Sequence, residues 1–309
     1  MMQMLKSIVY LLALTLHGMM AGDGPSMIEL FPKTKSSFFD DRIVVEAKVV
    51  SVEGEKSHEK CAVKITKVYC GSKDLVGTTF SDYNAPLHMS RFGAIPLLVG
   101  ETGIWTLVKG EHGLQPAEAP GFRVNRIRKH MESYYVDYSQ YLQLADEIGR
   151  IYRLKPEERV QQVKGAVYSD VPTIAYWAAN ILPYFFDGKE AVRVMREVRK
   201  TPLKTVGATL AVDKFLYDWD PEAWIPSKER LEDLQRCVRL KMTPWEGHDL
   251  LNDLWLEIDG DLVDHKTAVQ LLESARDNST IDDERRERFG EFLEEYLAKS
   301  KGREKEERP

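Results

Sequence analysis

Cysteine is scarce in this chain, which has only Cys61, Cys70 and Cys237 among 309 residues. A scaffold held together by disulfides needs a denser and paired set, so the sequence excludes that class of exported module. If residues 61–70 form one straight strand, the Cα atoms of Cys61 and Cys70 lie about 30 Å apart. A disulfide needs a separation below about 7 Å. We therefore expect no bridge between these two residues, and we expect Cys237 to be a buried free thiol on a helix.

Positive charge is not in excess either. The 43 lysines and arginines are outnumbered by 49 aspartates and glutamates, which gives a formal net charge of −6. Neither half of the chain has the basic surplus that binding to a phosphate backbone requires, so no nucleic acid is expected as a partner. After the N-terminal segment there is no apolar run of the roughly 20 residues that a membrane-spanning helix needs.

Motifs for cofactors and metals are also missing. No glycine-rich phosphate loop follows a predicted strand, and the seven histidines include no pair with zinc-binding spacing. Asp259-Gly-Asp261 lacks the remaining ligands of a calcium loop. We therefore predict no cofactor, no metal site and no assigned catalytic residue. Asn278-Ser-Thr280 is a glycosylation sequon, which matters only if the source organism glycosylates its exported proteins.

The first 22 residues have the pattern of a secretory signal peptide. Lys6 precedes an apolar core at residues 7–16, and the small residues Ala21 and Gly22 follow it. The core is too short to span a bilayer. Methionine at positions 19 and 20 fits the cleavage site poorly, so an uncleaved anchor is the alternative. We expect export to the periplasm or the cell exterior, with membrane attachment only if the segment stays uncut.

Residues 23–122 are predicted to form a small antiparallel β-barrel or sandwich. Apolar and polar residues alternate with a period of two, as in Val45, Ala47 and Val49. The second strand is expected to place Cys61, Val63, Ile65 and Tyr69 on one face. Strands are expected at residues 42–53, 61–69, 78–83, 103–109 and 114–117.

This order of strands resembles the OB-type barrels of netrin-like modules and of tissue inhibitors of metalloproteinases. The resemblance depends on the long first strand, the Gly71…Gly77 connection after Tyr69, and Gly103-Ile-Trp105. It covers about residues 38–120. Those inhibitors present a disulfide-tethered N-terminal cysteine to the metal of the protease, whereas this chain has no cysteine before Cys61. The resemblance therefore implies a barrel fold but not protease inhibition.

The second half changes to a helical period of three to four residues. Residues 123–155 are predicted to be a connecting helix, and residues 156–299 to form four helix pairs. Pro156 and Pro226 are expected to begin first helices, and Pro172, Pro202 and Pro244 to begin second helices. The pairs are expected at residues 156–169 with 170–186, 188–200 with 202–219, 226–241 with 244–258, and 265–277 with 282–299.

The recurrence of helix pairs indicates stacked repeats. Through Val171-Pro172…Trp177-Ala-Ala179 the first pair resembles HEAT-type α-solenoids. Such a resemblance implies an extended surface for binding other proteins, whereas a compact helical bundle is the alternative architecture. The charged tail at residues 300–309 is expected to be disordered. The fold class is thus α+β with two domains: a small OB-like barrel followed by an all-α, HEAT-like array.

Five of the six tryptophans lie in the helical half. Trp177 and Trp255 fall on apolar helix faces and are expected in the core. Trp219, Trp224 and Trp245 lie at predicted helix ends and loops, where they are candidate anchors for a partner, although internal packing is the competing interpretation.

The favoured hypothesis is an exported, non-enzymatic interaction or scaffold protein that binds another protein. One alternative is an exported thiol-dependent hydrolase that uses Cys70 as its nucleophile, with His88 or His112 as the base. The other is a structural subunit in envelope assembly.

Overall fold

A computed structural model describes residues 39, 42–54, 60–83, 98–111, 113–116, 126–128, 138–219, 228–259 and 263–306. Within this part an antiparallel sheet is followed by helices, so the predicted two-part α+β layout is confirmed. The predicted signal peptide at residues 1–22 lies outside the described residues.

The sheet contains the five predicted strands and one that was not predicted. In the order β3-β2-β1-β4-β5, neighbouring strands are hydrogen-bonded and antiparallel. The short β6 pairs with residues 103–105 of β4, on the same edge where β5 pairs with residues 107–110. Strand β6 lies in residues 123–155, which were expected to be a connecting helix. The strands are β1 (Ile43–Glu53), β2 (Lys60–Cys70), β3 (Thr79–Tyr83), β4 (Thr102–Gly110), β5 (Gly113–Pro116) and β6 (Arg126–Arg128).

One face of the sheet forms a hydrophobic core of its own, as the alternation in β1 and β2 predicts. Its members are Ile43, Val45, Ala47, Val49, Cys61, Val63, Ile65, Phe80, Trp105 and Leu107. Tyr69 was expected on this face, and that expectation is wrong. Because Ala47 pairs with Ile65 and Glu46 with Lys67, Thr66 is an extra residue in β2. Such a bulge reverses the alternation after it, and Tyr69 packs on the opposite face of the sheet.

A buried contact joins two strands that are not neighbours in the sheet. The indole nitrogen of Trp105 in β4 donates to Asp82 Oδ2 in β3 at 3.0 Å, and the rings of Trp105 and Phe80 are 6.2 Å apart. In a flat sheet, strands three places apart are separated by about 14 Å. The sheet is therefore strongly curved around its core.

Nine helices are present within the described residues. They are α1 (Tyr138–Tyr152), α2 (Pro156–Ala166), α3 (Pro172–Ile181), α4 (Gly188–Arg199), α5 (Val206–Trp219), α6 (Lys228–Cys237), α7 (Pro244–Asp259), α8 (His265–Arg276) and α9 (Asp283–Glu306). Pro156, Pro172 and Pro244 begin helices as predicted. Pro202 does not, because α5 begins at Val206 after Thr205, whose hydroxyl accepts from Ala208 N at 3.4 Å. Pro226 lies outside the described residues.

Helix α1 packs directly on the sheet. A Cβ atom at Gly149 would lie 2.9 Å from the carbonyl oxygen of Tyr69, so only glycine allows this close approach. Lys67 of β2 also forms an ion pair with Asp146 of α1 at 3.1 Å. Val44, Tyr69, Cys70 and Ile104 of the sheet share one hydrophobic core with helices α1–α5. The sheet and the first helices are therefore packed together.

The second helix of each predicted pair contacts the second helix of the next pair. Helix α3 contacts α5, α5 contacts α7, and α7 contacts α9. A separate hydrophobic core lies among α5–α9. Helix α9 continues through Glu306, into the segment that was expected to be disordered. An ion pair between Lys299 and Glu295, one turn apart, supports this last part of the helix.

Candidate functional site

Two of the three tryptophans proposed as partner anchors lie within the described residues, and the structure does not bring them together. Trp245 is 8% exposed, and its ring meets that of Tyr176 edge-to-face at 5.2 Å. Trp219 is partly buried at the end of α5, where it stacks on Phe215 at 6.4 Å. Trp245 contacts Gly207 near the start of α5, about 18 Å along the helix from Trp219. Trp224 lies outside the described residues.

The aromatic residue most exposed on the helices is instead Trp255, which was expected in the core. It is 46% exposed, and its neighbour Leu256 is 52% exposed. Trp177, by contrast, is fully buried, as predicted. The pattern that could have identified Trp255 is the run Leu254-Trp255-Leu256. Successive residues of a helix turn by 100°, so three consecutive apolar residues cannot all face one core.

Tyr217 of α5 is also exposed, at 38%. Helices α5 and α7 run side by side in the same direction, since Gly207 contacts Trp245 and Lys214 acts electrostatically on Asp253. Tyr217 lies ten residues after Gly207, and Trp255 lies ten residues after Trp245. The two aromatic residues are therefore at the same height along the stacked helices. We call the exposed side chains of Tyr217, Trp255 and Leu256, which lie at this height on the two helices, the aromatic face.

Acidic side chains border the aromatic face. Asp218 follows Tyr217 on α5, and Asp253 and Asp249 lie about one and two helical turns before Leu256 on α7. Burial raises the pKa of both Asp218 and Asp253, and nearby Lys214 opposes this in both cases. Large apolar groups and carboxylates therefore lie near each other on these helices, and one of the carboxylates, Asp253, is also paired with Arg230.

A buried ionic network lies between helices α4, α5, α6 and α7. Arg199 Nε donates to Asp233 Oδ2 at 2.9 Å, and Arg199 Nη2 lies 3.1 Å from Asp213 Oδ1. Arg236 Nη2 lies 2.7 Å from Asp233 Oδ1. Arg230 forms ion pairs with Glu257 and, at 3.4 Å, with Asp253. Sequence reasoning missed this network, because nothing in the periodicity of separate helices tells which charges meet.

The buried position of Cys70 bears on the hydrolase hypothesis. Its side chain is fully buried, and its thiol donates to the carbonyl oxygen of Arg42 at 3.3 Å. His88 and His112, the two suggested bases, lie outside the described residues. Cys61 and Cys237 are buried as well, and none of the three cysteines forms a disulfide in the described part of the chain.

Thiol labelling of the native protein tests this hypothesis. We expect Cys70 to react with a maleimide far more slowly than an exposed thiol, because the reagent reaches it only when the fold opens. After unfolding in urea, all three cysteines are expected to react. Mass spectrometry of the labelled peptides distinguishes the sites, and rapid labelling of Cys70 in the native state would support the hydrolase instead.

The sequon at Asn278 has a structural use. Asn278 Nδ2 donates to the carbonyl oxygens of Val238 and Leu240, each at 2.9 Å, and Oδ1 accepts from the backbone and hydroxyl of Thr280. Glycosylation would modify that same nitrogen. Asn278 therefore connects the α8–α9 turn to the end of α6, and the folded chain leaves no room for a glycan there.

In the described parts of the chain, no group of three histidine, cysteine, aspartate or glutamate side chains is arranged to hold a metal ion. None of the described helices is both long and apolar enough to cross a membrane. The chain matches no protein-family model, no curated protein and no solved structure. Its function has to be inferred from its own residues.

Proposed function

We propose that this chain is an exported, non-enzymatic interaction protein that binds another protein through the aromatic face of α5 and α7. The observation that carries the proposal is the exposure of Trp255, Leu256 and Tyr217 at one height on adjacent helices. Large aromatic residues dominate the energetics of protein interfaces when a partner covers them. Export is proposed from the sequence pattern of residues 1–22 alone.

The architecture fits this role. We propose that the curved sheet is an OB-like barrel, because the contact of Trp105 with Asp82 crosses its interior. We propose that the helix pairs form a HEAT-like array, because α3, α5, α7 and α9 each contact the next. Stacked helix pairs present a continuous surface made by their second helices, which is how such arrays bind partners.

The carboxylates around the aromatic face specify the chemistry of the partner. Asp218, Asp249 and Asp253 favour a segment in which lysine or arginine alternates with apolar residues. A partner guanidinium can stack on Trp255 while it forms an ion pair with a neighbouring carboxylate. The hydrolase alternative has less support, because the Cys70 thiol is buried and its hydrogen is donated to a backbone carbonyl.

Affinity capture from the exported fraction tests the proposal when it compares matched variants. We expect the double variant Trp255→Ala, Leu256→Ser to lose specific captured proteins that the unmodified chain retains, with at least about a tenfold weaker affinity for each. The control Val76→Ser changes an equally exposed apolar residue after β2, at 52% exposure, and should capture the same set as the unmodified chain.

The dependence of binding on ionic strength and the identity of the captured proteins complete the test. If the partner is basic, binding weakens as the ionic strength rises. Equal thermal unfolding of the two variants and the unmodified chain shows that the fold is intact. A captured set that is unchanged by the double variant contradicts the proposal, whereas envelope components in that set would favour the assembly subunit.

A further inference from the structure

We propose that the ionic network between the pairs α4–α5 and α6–α7 is a pH-responsive joint, in which Asp213 holds a proton while the two pairs are tightly packed. Such a joint would regulate the packing of these helices whatever the identity of a partner. Three features of Asp213 support it: its position, the balance of charges around it, and the hydrogen bonds that its carboxylate lacks.

Asp213 lies where four helices meet. It is 3% exposed and belongs to α5, with Arg199 of α4 on one side and Asp233 of α6 on another. Neither of its oxygens accepts a hydrogen bond from any residue in the described part of the chain. The 3.1 Å approach of Arg199 Nη2 is therefore a charge contact and not a directed hydrogen bond.

The network contains one more carboxylate than it has arginines. Its acids are Asp213, Asp233, Asp253 and Glu257, and its bases are Arg199, Arg230 and Arg236. An uncompensated charge is costly inside a protein, and a buried group avoids that cost by binding a proton. One bound proton balances the charges of these directly paired groups, while Lys214 and Asp249, with opposite charges, act on Asp253 from outside the pairs.

Asp213 is the member best placed to hold that proton. Asp233 accepts a hydrogen bond from Arg199 and forms an ion pair with Arg236, while Asp253 and Glu257 share Arg230. The pKa of Asp213 is raised to about 7, because burial raises it strongly, Arg199 lowers it in part and the nearby charge of Asp233 raises it. Among several carboxyl groups, the one without a hydrogen bond from a cation keeps its proton to the highest pH.

Among the other groups around Asp213, one could hold the proton in its place. The remaining charges that act on it are Arg230 of α6 and Asp253 of α7, and the sequence of α3, which packs on α5, contains no charged residue. Burial raises the pKa of the nearby Cys237 thiol, which therefore stays neutral. Burial also raises the pKa of Asp253, so an experiment has to separate Asp253 from Asp213.

The sign of the pH effect follows from linkage. In the unfolded chain an aspartate has a pKa of about 3.9. Because the folded chain binds this proton more tightly, the contribution of Asp213 to stability is greatest at low pH and is lost as the pH rises toward 7. In that interval the unfolding equilibrium constant rises by up to about tenfold per pH unit. Above it, the network carries an uncompensated negative charge between α5 and α7, which carry the aromatic face.

Urea unfolding of the full chain between pH 5 and pH 8 tests the joint. We expect the unfolding constant of the unmodified chain to rise more steeply between pH 5 and pH 7 than that of Asp213→Asn, by close to tenfold per pH unit. Asp170→Asn, which alters an exposed ion pair with Lys204, should keep the steep dependence. An equal pH dependence of the unfolding constant in the unmodified chain and in Asp213→Asn would overturn the proposal. So would a result in which only Asp253→Asn abolishes that pH dependence.

Hydrogen exchange on the unmodified chain keeps the proposal testable if Asp213→Asn fails to fold. After correction for intrinsic exchange rates, protection in α4–α7 is expected to fall between pH 5.5 and pH 7.5 while that in α1–α3 stays constant. A uniform change, or no change, across all these helices would contradict a joint located at Asp213.

Discussion

The variant Gly207→Ala is expected to lower the free energy of unfolding by about 3 kcal/mol, at the upper end for an overpacked core. A Cβ atom at this position would lie 2.4 Å from Cη2 and 2.7 Å from Cζ3 of Trp245. The indole ring cannot move aside easily, because it is buried against Tyr176. The added methyl group therefore has to push α5 and α7 apart.

The same movement would break a second contact. Glu246 is completely buried, and its Oε1 accepts from Gly207 N at 2.8 Å while Oε2 accepts from Thr243 N at 2.8 Å. One carboxylate thus satisfies amide hydrogens at the starts of both α5 and α7, where helices leave N–H groups without partners. Separation of the helices would leave Gly207 N unpaired, which adds to the loss of stability.

Gly165 provides the matched control. It also lies in a helix, and a Cβ atom built there has no neighbour within 4 Å. Gly165→Ala is expected to raise stability by up to about 1 kcal/mol, since alanine favours the helix. Equilibrium unfolding in urea, followed by circular dichroism, measures both variants. Equal stabilities for Gly207→Ala and Gly165→Ala would show that the contact with Trp245 does not set the spacing of α5 and α7.

The second large effect is expected at Asn278. Asn278→Ala removes the bonds to the carbonyl oxygens of Val238 and Leu240 and leaves both acceptors at the end of α6 without this partner. It also releases Thr280, whose hydroxyl accepts from Met242 N at 3.2 Å. Each buried polar group left unsatisfied costs about 1–3 kcal/mol, so we expect a total loss of about 3 kcal/mol.

The adjacent Ser279 is a suitable comparison. It is exposed within the same turn, and Ser279→Ala leaves the sequon intact. This change is expected to alter stability by less than about 0.5 kcal/mol. Thermal and urea unfolding measure the stability of both variants. If Asn278→Ala is as stable as Ser279→Ala, the turn does not fasten α8–α9 to α6, and a glycan on Asn278 would become compatible with the fold.

Much of the secondary structure could be predicted from residue periodicity. The alternation around Val45, Ala47 and Val49 identified β1 and its buried face, because side chains in a strand point to opposite sides in turn. Pro156, Pro172 and Pro244 marked helix starts, because proline suits the first turn of a helix. Trp177 was placed correctly in the core by the apolar stripe around it.

The failures have one physical cause in common. Tyr69 changed faces because of a bulge at Thr66, which depends on how β2 pairs with β1. Trp255 was expected inside because it neighbours buried residues, but α7 carries more apolar side chains than its contacts cover. The run Leu254-Trp255-Leu256 shows that not all three residues can be buried, but the packed neighbours decide which are exposed. In each case those neighbours are distant in sequence.

The sequence by itself determined the α+β layout and most strand and helix positions. These properties depend on local conformation along each segment. Only the tertiary structure decided that Trp255, and not Trp245, is exposed beside Tyr217, and that Asp213 is buried with too few partners. Those features arise where separate helices meet, because burial and charge balance are properties of the packed neighbours and not of any single segment.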